Sequence, residues 1–262
     1  MSGPRNSKTE KDGARTYTWK GEKFPSVTTI ISAGVPKPAL VNWAAKTVAE
    51  YTVNEWDSID AVLHPNGKVT AESKAATIDL LKGAHRRYTS HRANVGTLAH
   101  DIAECRALGT PLPVLTDDSA PYVPVIDRFI QEWRPEFIAS EMTVYSRTHG
   151  FAGTLDFIAD LPELGFVLGD YKTGKGIYEE TALQLAAYRY ADFVGMPDGT
   201  EVPIPAVDAC VAVNLHTDGY QLFPLDVTPS RFRDFLYAKE VARFKSEKGV
   251  VLDPLTPPEV TP

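Results

Sequence analysis

Three charged residues interrupt runs that otherwise pattern as apolar strands: Asp156 in "GFAGTLDFIADL", and Asp170 and Lys172 in "GFVLGDYK". Strand interiors disfavour Asp and Lys, and a buried charge is costly without a partner, so this placement asks for a compensating ligand or partner. In the second run the period of two puts Phe166, Leu168, Asp170 and Lys172 on one face, so acid and base emerge together at the carboxyl end of a strand. The connection "ADLPELG" has the proline and glycine content of a hairpin. It makes the two strands antiparallel neighbours and lets Asp156 and Asp170 converge. Two carboxylates beside a lysine suit a hard divalent cation, Mg²⁺ or Mn²⁺, with the ammonium orienting a water or stabilising developing negative charge. The competing reading is a strand-end ion pair and a turn aspartate, the commoner fate of such residues taken singly.

The elements that must carry these residues fall into textures along the chain. Residues 1–15 are polar and predicted to be disordered, and "VLDPLTPPEVTP" at the other end is a proline-rich tail that cannot sustain a helix. Between residues 25 and 109 the patterning is helical, as part of a helical region assigned to 16–110. "SVTTIISAG" opens at a capping Ser26, "PALVNWAAKTVAEYTVNEW" has Pro38 at its start, and a longer run goes from 73 to 109. Strand patterns appear only after Pro135, at 137–146, 150–159, 165–172, 206–215 and 220–225. A helix at 178–193, closed by Gly195, lies between the third and fourth, and a last helix spans 229–248. Helices, three strands, a helix, two strands and a helix make an α/β or α+β chain with a mixed central sheet, its core at 111–250.

Composition narrows the functions open to such a chain. At 262 residues and 43% hydrophobic it can bury a sizeable core. Only Cys105 and Cys210 are available, too few for a disulfide framework or a four-cysteine cluster. The polar amino terminus and the lack of any long apolar run predict a cytoplasmic protein without membrane spans. A formal charge of −7 argues against bulk attraction to nucleic acid and leaves room for a local basic groove. One such surface is offered by "LKGAHRRYTSHRANVG", which sets Lys82, Arg86, Arg87 and Arg92 around Tyr88; its bland reading is a solvated helix face.

An Asp ending one hairpin strand, an Asp-X-Lys in the next, and a helix with Gln184 and Tyr188 four residues apart resemble the PD-(D/E)XK nuclease superfamily. More closely, the set is similar to its RecB-like exonuclease branch of phage and CRISPR-associated enzymes. Gly153, Asp156, Asp170, Tyr171, Lys172, Gln184 and Tyr188 carry the match, and "VGTLAH" at 95–100 resembles that branch's Gly-Thr-X-X-His element. "FPSVTTII" at 24–31 also looks like the start of many phage-encoded members. The resemblance implies a restriction-endonuclease-like core, a mixed sheet flanked by helices with an amino-terminal helical elaboration. It implies an exonuclease for DNA recombination, repair or processing, in the host cytoplasm if phage-encoded. A structure-selective endonuclease, or a non-catalytic nucleic-acid-binding protein on the same fold, are the alternatives.

By the same resemblance His100, Asp156, Asp170 and the Tyr171 carbonyl hold one or two Mg²⁺ or Mn²⁺ ions, and Lys172 and Gln184 act with Asp156 and Asp170 in catalysis. A ligand role suits His100 because imidazole accepts Mn²⁺ better than Mg²⁺, with Glu104 one turn later holding the ring or a water. Read blandly, His100 is a solvated histidine, Tyr188 is core packing and Gln184 a boundary residue. Read functionally, Gln184 and Tyr188 contact DNA together with Arg86, Arg87, Arg92 and Lys175. Glu141 sits at the site edge or pairs with a basic neighbour. The four cysteines that bind an iron-sulfur cluster in many CRISPR-associated members are missing, so no such cluster is expected. DNA is the expected partner, with a second copy or a recombination or replication protein as a further one.

Overall fold

A computed structural model describes residues 7–9 and 13–247 of the chain. It opens with a ribbon of three antiparallel strands, β1 (Ser7–Thr9), β2 (Arg15–Trp19) and β3 (Glu22–Pro25). Helix α1 (Val27–Gly34) comes next, capped by the Ser26 hydroxyl, which accepts the Thr29 N–H at 3.0 Å. A helical lobe holds α2 (Ala39–Asn54), α3 (Trp56–Leu63), α4 (Ala71–Lys82) and the long α5 (Ala84–Leu108), which Gly109 ends in the left-handed conformation. Then come α6 (Tyr122–Trp133), β4 (Glu136–Ser146), β5 (Phe151–Leu161), β6 (Gly165–Lys172) and α7 (Glu179–Arg189). The described chain closes with β7 (Phe193–Gly195), β8 (Glu201–Val202), β9 (Ala209–His216), β10 (Gly219–Pro224) and α8 (Pro229–Ser246).

Seven strands form one mixed sheet in the order β10-β9-β6-β5-β4-β7-β8, in which only β6 and β9 run parallel. Helices cover both faces. Val27 and Ile30 of α1, Leu185 of α7 and Phe235 of α8 pack with Phe151, Leu155 and Leu168 on one side. Ile102 of α5 and Phe129 of α6 pack with Phe157, Val167, Val211 and Val213 on the other. Both faces of β5 and β6 are therefore apolar, which is why these strands read as near-continuous hydrophobic runs.

Two irregularities interrupt the sheet around β5. First, β5 changes faces in mid-strand. Phe151 and Leu155 point towards α1 and α7, whereas Phe157, Ala159 and Leu161 point towards α5 and α6, although a regular strand keeps alternate residues on one side. The change falls at Asp156. Ser140 pairs with Phe157 and Met142 with Leu155, so the residue facing Asp156 across the ladder is Glu141, whose φ of 50° few non-glycine residues adopt. Second, β5 and β6 pair from Leu161 and Gly165 as far as Phe157 and Gly169 and then part. Beyond Gly169, β6 pairs with β9 alone and β5 with β4 alone. Gly169 is required at the branch, since a Cβ there would lie 1.9 Å from the Phe157 ring.

Several sequence expectations are corrected. Strands do occur before Pro135, because Tyr17, Trp19 and Phe24 bury a period-two face against Tyr145 and Phe193, and Lys20 and Gly21 both take the positive φ of a tight hairpin turn. Within the stretch expected to be disordered, Ser7–Thr9 forms a strand; residues 1–6 and 10–12, like the tail at 251–262, lie outside the described residues. The expected helix at 178–193 stops at Arg189. Phe193–Gly195 becomes a strand because Phe193 stacks on Tyr145 and the Asp192 carboxylate accepts the Ser146 hydroxyl and the Thr148 N–H, which pulls the segment onto β4. The helical run at 73–109 is two helices broken at Gly83, and α3 and α6 add helices that the sequence pattern did not assign.

Candidate active site

Asp156 and Asp170 are the first residues past the fork between β5 and β6. Where the ladder fails, a side chain replaces it: Asp156 Oδ2 accepts the Tyr171 N–H at 2.7 Å and lies 3.2 Å from His100 Nδ1. The N–H and C=O of one strand residue leave the same edge, so the Tyr171 carbonyl also faces the fork. Asp170 looks to the other side. Its Oδ1 accepts Gln184 Nε2 at 2.8 Å, and the Lys172 ammonium pairs with its Oδ2, an oxygen that makes no hydrogen bond of ordinary geometry. Lys172 Nζ also donates to Gln184 Oε1 at 3.2 Å, so one amide holds both members of the ion pair. The fork thus collects His100 from α5 on one face of the sheet and Gln184 from α7 on the other.

The neighbouring side chains fix this arrangement. Gln184 Nε2 donates to the Tyr188 hydroxyl at 3.2 Å, and Tyr188 packs where a Cβ on Gly153 would come within 2.4 Å of its ring. The loop after Lys172 is tied down twice. Arg92 donates to the Thr173 carbonyl at 2.9 Å, and Asn214, oriented to satisfy its neighbours, donates to the carbonyls of Lys172 and Gly174 while accepting from His216. All of this borders a cleft of about 900 Å³, whose walls include Arg15 of β2, Gly96 and Glu104 of α5, and Ser140 and Glu141 of β4.

Burial opposes charge on each of these groups, and the neighbours decide the outcome. Burial would raise Asp156, but the charge and hydrogen bond of His100, the Lys172 ammonium and the Tyr171 N–H hold its carboxyl below the usual carboxylate range. Burial pushes Asp170 up; Lys172 pulls against it and the Asp156 charge adds to the rise. Lys172 stays protonated because Asp170 and Asp156 outweigh its desolvation. His100 is desolvated too, yet Asp156 and then Asp170 raise it to about 9. Glu141 is pushed up to about 8 by burial and by the Asp156 charge, against the pull of His100.

The sequence candidates are therefore drawn together unequally. His100, Asp156, Asp170, Lys172, Gln184 and Tyr171 meet at the fork, and Glu104 lines the same cleft. Tyr188 lines the same cleft, is only 2% exposed and supports Gln184 through its hydroxyl. Arg87, also exposed, donates to the Leu80 carbonyl and lies over the Tyr51 ring of the helical lobe. Arg92 binds the loop beyond Lys172, while Arg86 and Lys175 are exposed. Glu141, left at the site edge by the sequence, stands with His100 and Asp156 in a group whose ligand atoms all lie within 4.8 Å of one another. Arg15 and Asn214 were missed altogether; both act through long-range strand placement that no local motif marks. No protein-family model matches the chain, and no curated protein matches it.

Proposed function

We propose that this chain is a metal-dependent DNA nuclease, acting as an exonuclease, on a PD-(D/E)XK core. The observation that carries the reading is the fork in the mixed sheet, where two buried aspartates, a lysine and a histidine from a separate helix meet at the wall of one open cleft. Divalent-cation chemistry fits the residues present. Asp156 leaves Oδ1 without a hydrogen bond among the described residues, and Asp101, Glu141, Asp156 and Asp170 gather around His100 and Lys172, with Arg15 on the same cleft wall. An acidic cleft of this kind repels a phosphodiester until cations neutralise it.

Asp156, Asp170, the Tyr171 carbonyl and His100 would between them hold one or two Mg²⁺ or Mn²⁺ ions, Asp156 being shared where there are two. A cation bound there supplies Lewis-acid polarisation of the phosphodiester and a more acidic water. Lys172 contributes a fixed positive charge. Asp170 and Asp156 keep it an ammonium, so it stabilises negative charge developing on the phosphoryl oxygens rather than accepting a proton. Gln184 orients that ammonium through its amide oxygen. Arg86 and Lys175, exposed outside the cleft, are available for sequence-independent phosphate contacts.

End-labelled linear DNA and covalently closed circular DNA, each incubated with and without Mn²⁺, test the proposal. Loss of the linear substrate alone, dependent on metal, is the expected result. Cutting of the circle would make the enzyme an endonuclease, and binding without cutting of either substrate would overturn the nuclease reading.

A further inference from the structure

The cluster at the fork is lopsided, and its two sides differ in what already neutralises them. On the α7 side the Asp170 carboxylate is occupied by Lys172 and Gln184. On the β4 side, Glu141 makes no hydrogen bond or ion pair among the described residues, and Asp156, only 8% exposed, has an oxygen without a hydrogen bond. These two carboxylates and the His100 imidazole bring ligand atoms within 4.8 Å of one another, close enough for one ion to touch all three. Asp170 is not among them.

Building this side burdens the cation-free protein. Glu141 holds φ 50° inside a strand, opposite the point where β5 changes faces, and its carboxylate faces Asp156, Asp101 and Glu104. A left-handed non-glycine residue is strained, and crowding of carboxylates adds to that.

Resting on the reading of the fork as a metal site, we infer that the first divalent cation is held by His100, Glu141 and Asp156, on the β4 side, and not by the Asp156 and Asp170 pair. One imidazole and two carboxylates suit Mn²⁺ better than Mg²⁺, which prefers an all-oxygen shell. Asp156 is common to both sides, so an ion on the Asp170 side would share it and would also have to displace the Lys172 ammonium from Asp170. Glu141 is thereby a ligand for which the Asp-X-Lys motif makes no provision.

The test reads Mn²⁺ binding to the full chain without DNA, by the loss of the free-ion electron paramagnetic resonance signal and by calorimetry. Glu141→Gln should weaken the tightest Mn²⁺ equilibrium by roughly 100-fold, at the upper end of the 10–100-fold seen when an outer partner of a ligand is lost. Asp170→Asn should leave that equilibrium within about threefold of the wild type. Glu141→Gly guards against misfolding, because glycine accepts φ 50° without strain. It should melt no lower than the wild type in chelator while losing the Mn²⁺-induced rise in melting temperature. Wild-type Mn²⁺ affinity in Glu141→Gln, or a collapse of the tight equilibrium in Asp170→Asn, would overturn the inference. The nuclease reading fails separately: a chain that binds Mn²⁺ through Glu141 and cuts no DNA keeps this site and loses that function.

Discussion

Each charge at the fork has a role that its removal should expose. Asp170→Asn keeps the shape and the Gln184 contact but loses a negative charge, so cleavage of linear DNA should fall by roughly 10²-fold or more with DNA binding retained; near wild-type rates in the purified variant would remove Asp170 from the site. Lys172→Ala should lose cleavage on the same scale while still binding Mn²⁺. Lys172→Arg should recover little of it, because the bulkier guanidinium cannot take the place of an ammonium held between Asp170 and Gln184. The pH dependence has a definite sign. His100 and Glu141 both titrate above their ordinary values in the folded, cation-free protein, at about 9 and about 8, so the native state binds more protons than the unfolded chain. The His100 contribution is fully present below its unfolded value near 6.5 and is lost as the pH rises through about 9; the Glu141 shift acts in the same direction up to about 8. In chelator the melting temperature should therefore decline from pH 6.5 to 9. With Mn²⁺ present the opposite slope is expected, because the ion must displace these protons and its apparent affinity climbs with pH. Melting curves across that range, with and without Mn²⁺, check both signs.

At the scale of elements, the site depends on how β5 meets α7. Gly153→Ala would set a Cβ 2.4 Å from the Tyr188 ring, which must move and carry Gln184 with it. A stability loss of about 1–3 kcal/mol in urea unfolding is expected from the overpacking, with cleavage falling further than stability explains. Unchanged activity would show that Lys172 does not need the Gly153, Tyr188 and Gln184 support. Strands β4, β5, β6, β9 and β10 were legible within a few residues because runs such as "FIADL" and "GFVLGDYK" combine apolar period with turn residues at their ends. The ribbon was legible too, in the alternation of Tyr17 and Trp19 before Lys20-Gly21, but the polar residues around it masked the signal. Helix α6 also had its signature, with Tyr122, Val125, Ile126 and Phe129 buried at helical spacing, obscured by Pro124 in its first turn. Strand β7 had no local signature. Its three residues are held by Tyr145 and by the Asp192 contacts, which are tertiary.

Across the whole molecule, the order of site residues along the chain was readable, while their distances and mutual roles were not. His100 and Glu141 are separated by a loop and α6, and only the packing of α5 over the sheet brings them together. The same separation governs the basic run. Arg86 lies fourteen residues before His100 on α5, which is about 21 Å along the helix axis, so it can touch only DNA that extends well beyond the fork. Arg86→Ala should weaken DNA binding evenly across sequences and lower the salt slope by about one, without altering cleavage of a bound strand end. Cation binding should also register globally. At Mn²⁺ a hundredfold above its dissociation constant the native state gains about 2.7 kcal/mol, which for a chain of this length raises the melting temperature by about 5–10 °C. Calorimetric melting with and without chelator measures it, and no shift would argue against a preformed cation site. Among the described residues no helix is long and apolar enough to cross a membrane.

The bond from the Tyr171 amide to Asp156 Oδ2 makes that one proton a spectroscopic observer of the fork. A backbone N–H held at 2.7 Å by a carboxylate is more strongly polarised than one in an ordinary ladder, so its nitrogen-proton resonance should stand downfield of the other β6 amides. Any change in what shares Asp156, whether the His100 proton, Mg²⁺ or a phosphate drawing a cation away, redistributes charge on the oxygen that Tyr171 faces. A single ¹⁵N-tyrosine-labelled sample titrated with Mg²⁺, which is diamagnetic and leaves the line intact, would then follow occupancy from inside the sheet without any substrate being cut.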